Sequence, residues 1–174
     1  MHIGWKLRQL ARWYPDRPAI IDEAGPWTYA VFLARLNRYG HAMAGIGLQR
    51  GDRIALMLPD IREYLEVDYG TMSAGFVRVP LDPRLTRAEI VSLLRHAEVR
   101  AIVVIGAGRT FIAGADIKEL EFAAWGQPAK LPALHGLLAA IEDSAKPVVM
   151  ALHGTTLGGG LEVAMAGHYR ICAR

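Results

Sequence analysis

The sequence predicts an α/β fold, a single layered helix–sheet–helix domain with a mostly parallel sheet. Three observations predict it. Short apolar runs of strand length alternate with longer amphipathic stretches along the chain. Glycine, proline and helix-capping residues punctuate nearly every junction. Hydrophobic residues make up 52% of 174 positions, enough for a substantial core. Repeated β-α-β units impose parallel pairing with right-handed crossovers.

The elements follow in chain order. Trp5–Tyr14 places Leu7, Leu10, Ala11 and Tyr14 on one helical face, with Lys6, Arg8 and Arg12 elsewhere. That helix reads as packing on the domain edge, with a membrane-surface helix as the alternative. Pro18–Asp22 reads as a strand. Thr28 caps a helix with Tyr29, Phe32, Leu33, Leu36, Tyr39 and Met43 on its apolar face, closed by Gly45-Ile46-Gly47. Arg53–Leu58 has the apolar continuity of a buried strand. Asp60 and Glu63 are expected to form a capping box for a helix ending near Gly75. Phe76–Val79 reads as a short strand stopped by Pro80, and Thr86 with Glu89 as a second capping box for a helix through about His96.

Val99–Ile105 is again a buried strand. Helices are expected over Ile117–Ala124 and Leu131–Asp143, the latter with Leu134, Leu137, Leu138 and Ile141 at helical spacing. Gly126, Pro128 and Pro132 make 125–132 a hinge or surface loop. Pro147–Leu152 reads as a strand, Gly158–Ala166 as a helix opened by glycines, and Tyr169–Cys172 as a final strand.

Composition narrows the function classes. No apolar run reaches the length of a membrane span, and Met1–Lys6 lacks the apolar core of a secretory signal, so a soluble cytoplasmic protein is expected. The single cysteine, Cys172, excludes an internal disulfide and reads as a small buried hydrophobe rather than a nucleophile. Net charge is +3, with 14 Lys and Arg against 11 Asp and Glu in residues 1–100, and 6 against 6 in the remainder. The excess is dispersed between acids, with no basic block, which disfavours nucleic acid and suits an acidic small molecule or phosphorylated carrier. The first part holds 13 Arg and one Lys, the second three of each, a shift that can mark a boundary. The six histidines show no metal-ligand spacing, and no metal is expected.

Two stretches carry possible chemistry. Gly154-Thr155-Thr156-Leu157-Gly158-Gly159-Gly160-Leu161-Glu162 follows a strand and opens a helix. Glycines there permit a tight turn and leave bare N–H groups at the positive end of the helix dipole, suited to a phosphate or a developing oxyanion. A plain strand-to-helix turn is the alternative, and Glu162 in the first turn is equally explained by the dipole. The stretch fits neither the phosphate-loop nor the dinucleotide glycine spacing.

The second stretch runs from Gly106 to Lys118, again between a strand and a helix. Backbone N–H groups around Ala115 could converge with that of Gly159 if their strands are neighbours, while Asp116 reads as an N-cap. His153, beside the glycine-rich turn, is a candidate acid/base. None of the serines, Ser73 included, sits in a nucleophile elbow; Ser73 reads as helix-end packing.

Taken together, these two stretches resemble the enoyl-CoA hydratase (crotonase) superfamily over about residues 99–174, nearest to the hydratase part of multifunctional fatty-acid oxidation proteins. The resemblance implies that the Ala115 and Gly159 N–H groups hold a thioester oxygen and that Lys118 lies by the coenzyme A pocket. It makes Glu162 one of two carboxylates handling water; the family's second lies in a segment beyond Arg174. Trp27-Thr28-Tyr29, Gly51–Pro59 and Val79–Thr86 resemble instead the N-terminal part of acyl-CoA synthetases, the adenylate-forming ligases, from about Leu10 to Val103. In that family this part is scaffold, and its Ser/Thr/Gly-rich phosphate loop is not found here, so ATP-dependent ligation is not expected.

The two likenesses overlap at Val99–Val103, so a fusion in the strand near 99–105 joins a ligase-like segment, 1–100, to a crotonase-like one, 101–174, in one α/β domain. The expected function is hydrolysis of esters or acyl-CoA-like thioesters. Ala115 and Gly159 would polarise the carbonyl, and Glu162, helped by His153, would activate water. No cofactor is required, coenzyme A entering only as part of a substrate. The alternatives are residual enoyl-CoA hydratase activity and a catalytically inert chimera that forms a homo-oligomer through exposed apolar surface.

Overall fold

The computed structural model describes residues 3–57, 61–82, 84–106, 110–112 and 134–172. The expected helix Ile117–Ala124 and the expected loop 125–132 lie outside them. The chain divides into two compact units, Met1–Arg100 and Ala101–Arg174.

The first unit opens with helix α1, Ile3–Trp13. Its Leu7 is buried in a cluster with Phe32 and Leu36, which agrees with an edge-packed helix. Strand β1, Pro18–Asp22, pairs antiparallel with β2, Gly25–Thr28. The second strand of this hairpin was not foreseen, because four residues containing Gly25 and Pro26 carry no strand signature. The turn is held by the Ala24 N–H donating to Asp22 Oδ1 at 2.9 Å. Thr28 then caps α2, Tyr29–Gly45, its side chain accepting from the Val31 N–H as expected. The face predicted from spacing is the buried one: Phe32, Leu36, Tyr39 and Met43 are all in the core.

Strand β3, Arg53–Met57, leads to α3, Arg62–Ala74. The expected Asp60–Glu63 capping box does not form. The N-cap is Ile61, without a side-chain cap, so Glu63 is the second helical residue and cannot reach back as a third would. Glu63 instead accepts from Arg62 at 3.4 Å; Asp60 lies outside the described residues. Gly75 closes α3 in the left-handed region at φ 90°.

Strand β4, Val77–Leu81, runs through Pro80 instead of stopping before it, parallel to β3 with Leu56 opposite Pro80. Proline is tolerated in a strand where its missing N–H faces away from the partner. The Thr86–Glu89 capping box forms in full and opens α4, Arg87–His96.

A polar network ties the hairpin, α2 and α3 together. The guanidinium groups of Arg35 and Arg62 both lie over the Trp27 ring, 4.2 and 4.6 Å from its centre. Arg35 pairs with Glu66 at 2.6 Å, and Arg62 with Asp22 at 3.2 Å. Deeper in, the Tyr39 hydroxyl bonds to Thr71 Oγ1 at 3.0 Å, and Thr71 in turn donates to the Val67 carbonyl.

Burial raises the Glu66 carboxyl above its ordinary value, outweighing the pull of Arg35 in the other direction. The folded chain therefore holds this proton to higher pH than the unfolded chain. Its contribution is fully present below the ordinary carboxylate pKa and is lost as pH rises through the raised one. Glu66→Gln, which keeps an acceptor for Arg35, is expected to gain on the parent in melting temperature as pH goes from 4.5 to 7. Parallel melting curves for the two proteins across that range would contradict it.

The second unit contains β5, Ala101–Ile105; α5, Leu134–Glu142; β6, Val148–Leu152; α6, Gly159–Ala166; and β7, Tyr169–Cys172. β5 pairs parallel with β6, and β6 parallel with β7. Phe111, Val148, Met150 and Ala164 form its core, with Val104, Ile141 and Val163 packed around them. Arg170 Nη1 donates to the carbonyls of Ala164, Met165 and Gly167, closing the C-terminal end of α6 with a cation where the dipole favours one. Across both units the hairpin is the antiparallel exception, and the fold is α/β with parallel strands as the alternation predicts. Among the described residues no helix is long and apolar enough to cross a membrane.

Candidate functional site

Parallel pairing of β5 and β6, with Ile105 opposite Ala151, brings the segments after both strands to the same sheet edge. The carboxyl ends of parallel strands are where α/β folds place their ligands. Backbone and side-chain bonds hold the two segments together. The Phe111 N–H donates to the His153 carbonyl at 2.9 Å, and the Leu157 N–H to the Ile112 carbonyl at 3.3 Å. The His153 ring spans the same gap, its Nε2 lying 3.0 Å from the Gly106 carbonyl oxygen, to which it donates.

Two glycines make this approach feasible. A Cβ on Gly106 would lie 1.6 Å from the Phe111 carbonyl oxygen, and one on Gly160 2.2 Å from that of Ile112. The glycine-rich turn is therefore more than a flexible connection: the segment after β5 is seated directly on it.

Gly158 is the N-cap of α6 at φ 54°, ψ −135°, with no side chain to offer the helix. Its carbonyl accepts from the N–H groups of Leu161 and Glu162, and the Leu157 carbonyl accepts from Gly160. The Gly159 N–H, at the first helical position, has no acceptor among the described residues. Among the described residues it is an open donor, at the positive end of the helix dipole. Glu162 stands exposed one turn later. Leu157 and Leu161, 58% and 44% exposed, give the same turn an apolar surface.

The sequence-derived residues thus fall in three groups. Gly159 and Glu162 share the start of α6. His153 is buried beside it, but its Nε2 is engaged by a backbone carbonyl, and no hydrogen bond joins it to Glu162 among the described residues. Ala115, Asp116 and Lys118 lie outside the described residues. Cys172, expected to be buried, is exposed, like most of β7, where Tyr169 and Arg170 are exposed as well. The bridging role of His153 was not legible: its partner is a backbone carbonyl 47 positions away, which leaves no trace in side-chain identity.

Comparison with known proteins places the chain. The AMP-binding enzyme family matches residues 7–152. The chain belongs to that family. A fatty acyl-CoA synthetase of Mycobacterium tuberculosis aligns with 99% of the chain and 26% of its own length, with a TM-score of 0.59 and 24% identity, a likeness of fold. In sequence the long-chain-fatty-acid–CoA ligase FadD13 of the same organism is 33% identical over 104 residues, 59% of this chain. A probable enoyl-CoA hydratase of Bacillus subtilis is 49% identical over 79 residues, 44% of this chain. The likeness to two kinds of enzyme, ligase and hydratase, is thus present in one chain. This member of the family spans 21% of the ligase and 31% of the hydratase.

Proposed function

We propose that the second unit binds acyl thioesters or esters and hydrolyses them slowly. The observation that carries this reading is the Gly159 N–H at the N-terminus of α6, without an acceptor among the described residues, with Glu162 one turn away. A donor held by a folded turn stabilises charge on a carbonyl oxygen without reorganising. A carboxylate within the same helical turn can take a proton from an attacking water. Hydrolysis needs only these two functions, whereas hydration of a double bond also needs proton delivery at the far carbon. Ala115 would supply a second N–H, Lys118 a contact to the coenzyme A portion, and His153 would hold the two strand ends in place rather than carry protons. The partner is then a small acyl ester or acyl-CoA, with no further cofactor.

The match to ligases along nearly the whole chain supports a second reading, a folded module without catalysis. Glu162→Gln separates them. With crotonyl-CoA and short acyl esters as substrates, free acid release is expected to fall about 100-fold, the lower end for a general base, with melting unchanged. Equal release by the parent and the variant would remove Glu162 from the mechanism, and no release by either would favour the inert module.

A further inference from the structure

We infer that α5 and α6 form a docking face for a second copy of this chain, in a two-fold pair whose α5 helices run antiparallel. The sequence of α5 is apolar almost throughout, with His135 near its start and Glu142 at its end as the ionisable residues. A helix apolar on all sides is ordinarily buried, yet α5 buries no residue fully. Ile141 packs on the core of the second unit, as do Val163 and Ala164 of α6, so the opposite sides of both helices face outward. There Leu134 and Leu137 of α5 are 37% and 46% exposed, and Leu161 and Met165, one turn apart on α6, 44% and 67%. Leu134 Cδ2 lies 3.6 Å from where a Cβ on Gly159 would be, so the two helices share one apolar face.

Area and charge both select a second copy as the occupant. Four large apolar side chains at these exposures, with the rest of exposed α5, present several hundred Å² of surface, the size at which patches on soluble chains mark interaction sites. Two such faces bury about 1,000 Å², the lower bound for a specific interface. A two-fold axis across α5 brings Glu142, at the C-terminal end of one helix, to His135 at the N-terminal end of the other, and does so twice. The same arrangement sets the two helix dipoles antiparallel, which favours it. An anionic bilayer does not fit this face: α5 and α6 hold no lysine or arginine, and Glu142 and Glu162 would meet the lipid charge. The interface is independent of whether the Gly159 site turns over an ester.

Sedimentation velocity of the full chain from about 1 to 500 μM tests this, a range that spans the weak affinities of interfaces near that bound. A monomer that converts to a dimer of twice the chain mass, and no further, is expected, because a two-fold contact closes on itself. Leu137→Glu and Met165→Glu should each weaken the dimer about 100-fold or more, since each buries an unpaired charge twice. Both positions are exposed in the single chain, so the circular dichroism spectrum should not change. Leu93→Glu, at a 41% exposed leucine of α4 in the first unit, should leave the dimer as it was. Glu142→Lys and His135→Glu should each weaken it about tenfold and together restore it, although each change alone suits the dipole of its own helix. A monomer at every concentration, which would leave the face to another protein, would overturn the proposal. So would a dimer that survives both glutamate substitutions, growth beyond the dimer, or a double charge variant no tighter than the single ones.

Discussion

Gly159→Pro is expected to abolish most acyl transfer to water while leaving the fold intact. Proline is favoured at the first helical position, where the N–H has no helical acceptor, and Gly159 occupies that position in α6. Among the described residues a Cβ there would meet Leu134 Cδ2 at 3.6 Å, an ordinary contact. The substitution therefore deletes one hydrogen-bond donor and little else. Loss of a single oxyanion donor costs about 100- to 1,000-fold in turnover, and that is the fall expected in kcat for free acid release. Gly159→Ala, which keeps the N–H, should retain activity within a small factor. If proline and alanine variants turned over alike, the donor would have no part in the reaction.

Gly106→Ala has the largest expected effect on stability. The added Cβ would sit 1.6 Å from the Phe111 carbonyl oxygen, and the obstacle is backbone, so no rotamer change relieves it. The segment from Phe111 to Ile112 would have to lift. That breaks the Phe111–His153 and Leu157–Ile112 bonds and withdraws Phe111, which is buried in the core of the second unit. Forced overpacking costs about 1–3 kcal/mol, and the lost backbone bonds add to it. A loss of about 3 kcal/mol or more in denaturant unfolding is expected. Gly136→Ala is the control, since a Cβ there meets nothing within 4 Å among the described residues. Equal stability of the two variants would show that the segment does not rest on Gly106.

How much of this was legible in the sequence depends on the range of the interaction. Helix α2 could be read because its cap, its apolar face and its closing glycine all lie within its own span. The capping box of α4 is likewise a four-residue signal. The start of α3 was misread because the same four-residue pattern at Asp60–Glu63 is out of register with the helix that forms. Strand β2 exists because β1 pairs with it, and nothing in Gly25–Thr28 alone announces that. In the site, the glycine-rich turn opening α6 is a local signal. The contact that makes Gly106 and Gly160 indispensable is not, because it lies between a side-chain-free position and a distant carbonyl.

The central claim is that the Gly159 N–H polarises an acyl carbonyl. Isotope-edited difference infrared spectroscopy tests it without depending on turnover. A non-hydrolysable ketone analogue of butyryl-CoA, carrying ¹³C at the carbonyl, would be bound to the intact chain and to Gly159→Pro. The account predicts a carbonyl stretch moved to lower frequency in the parent complex and returned toward its solution value in the proline variant. A stretch at the same frequency in both complexes would contradict it.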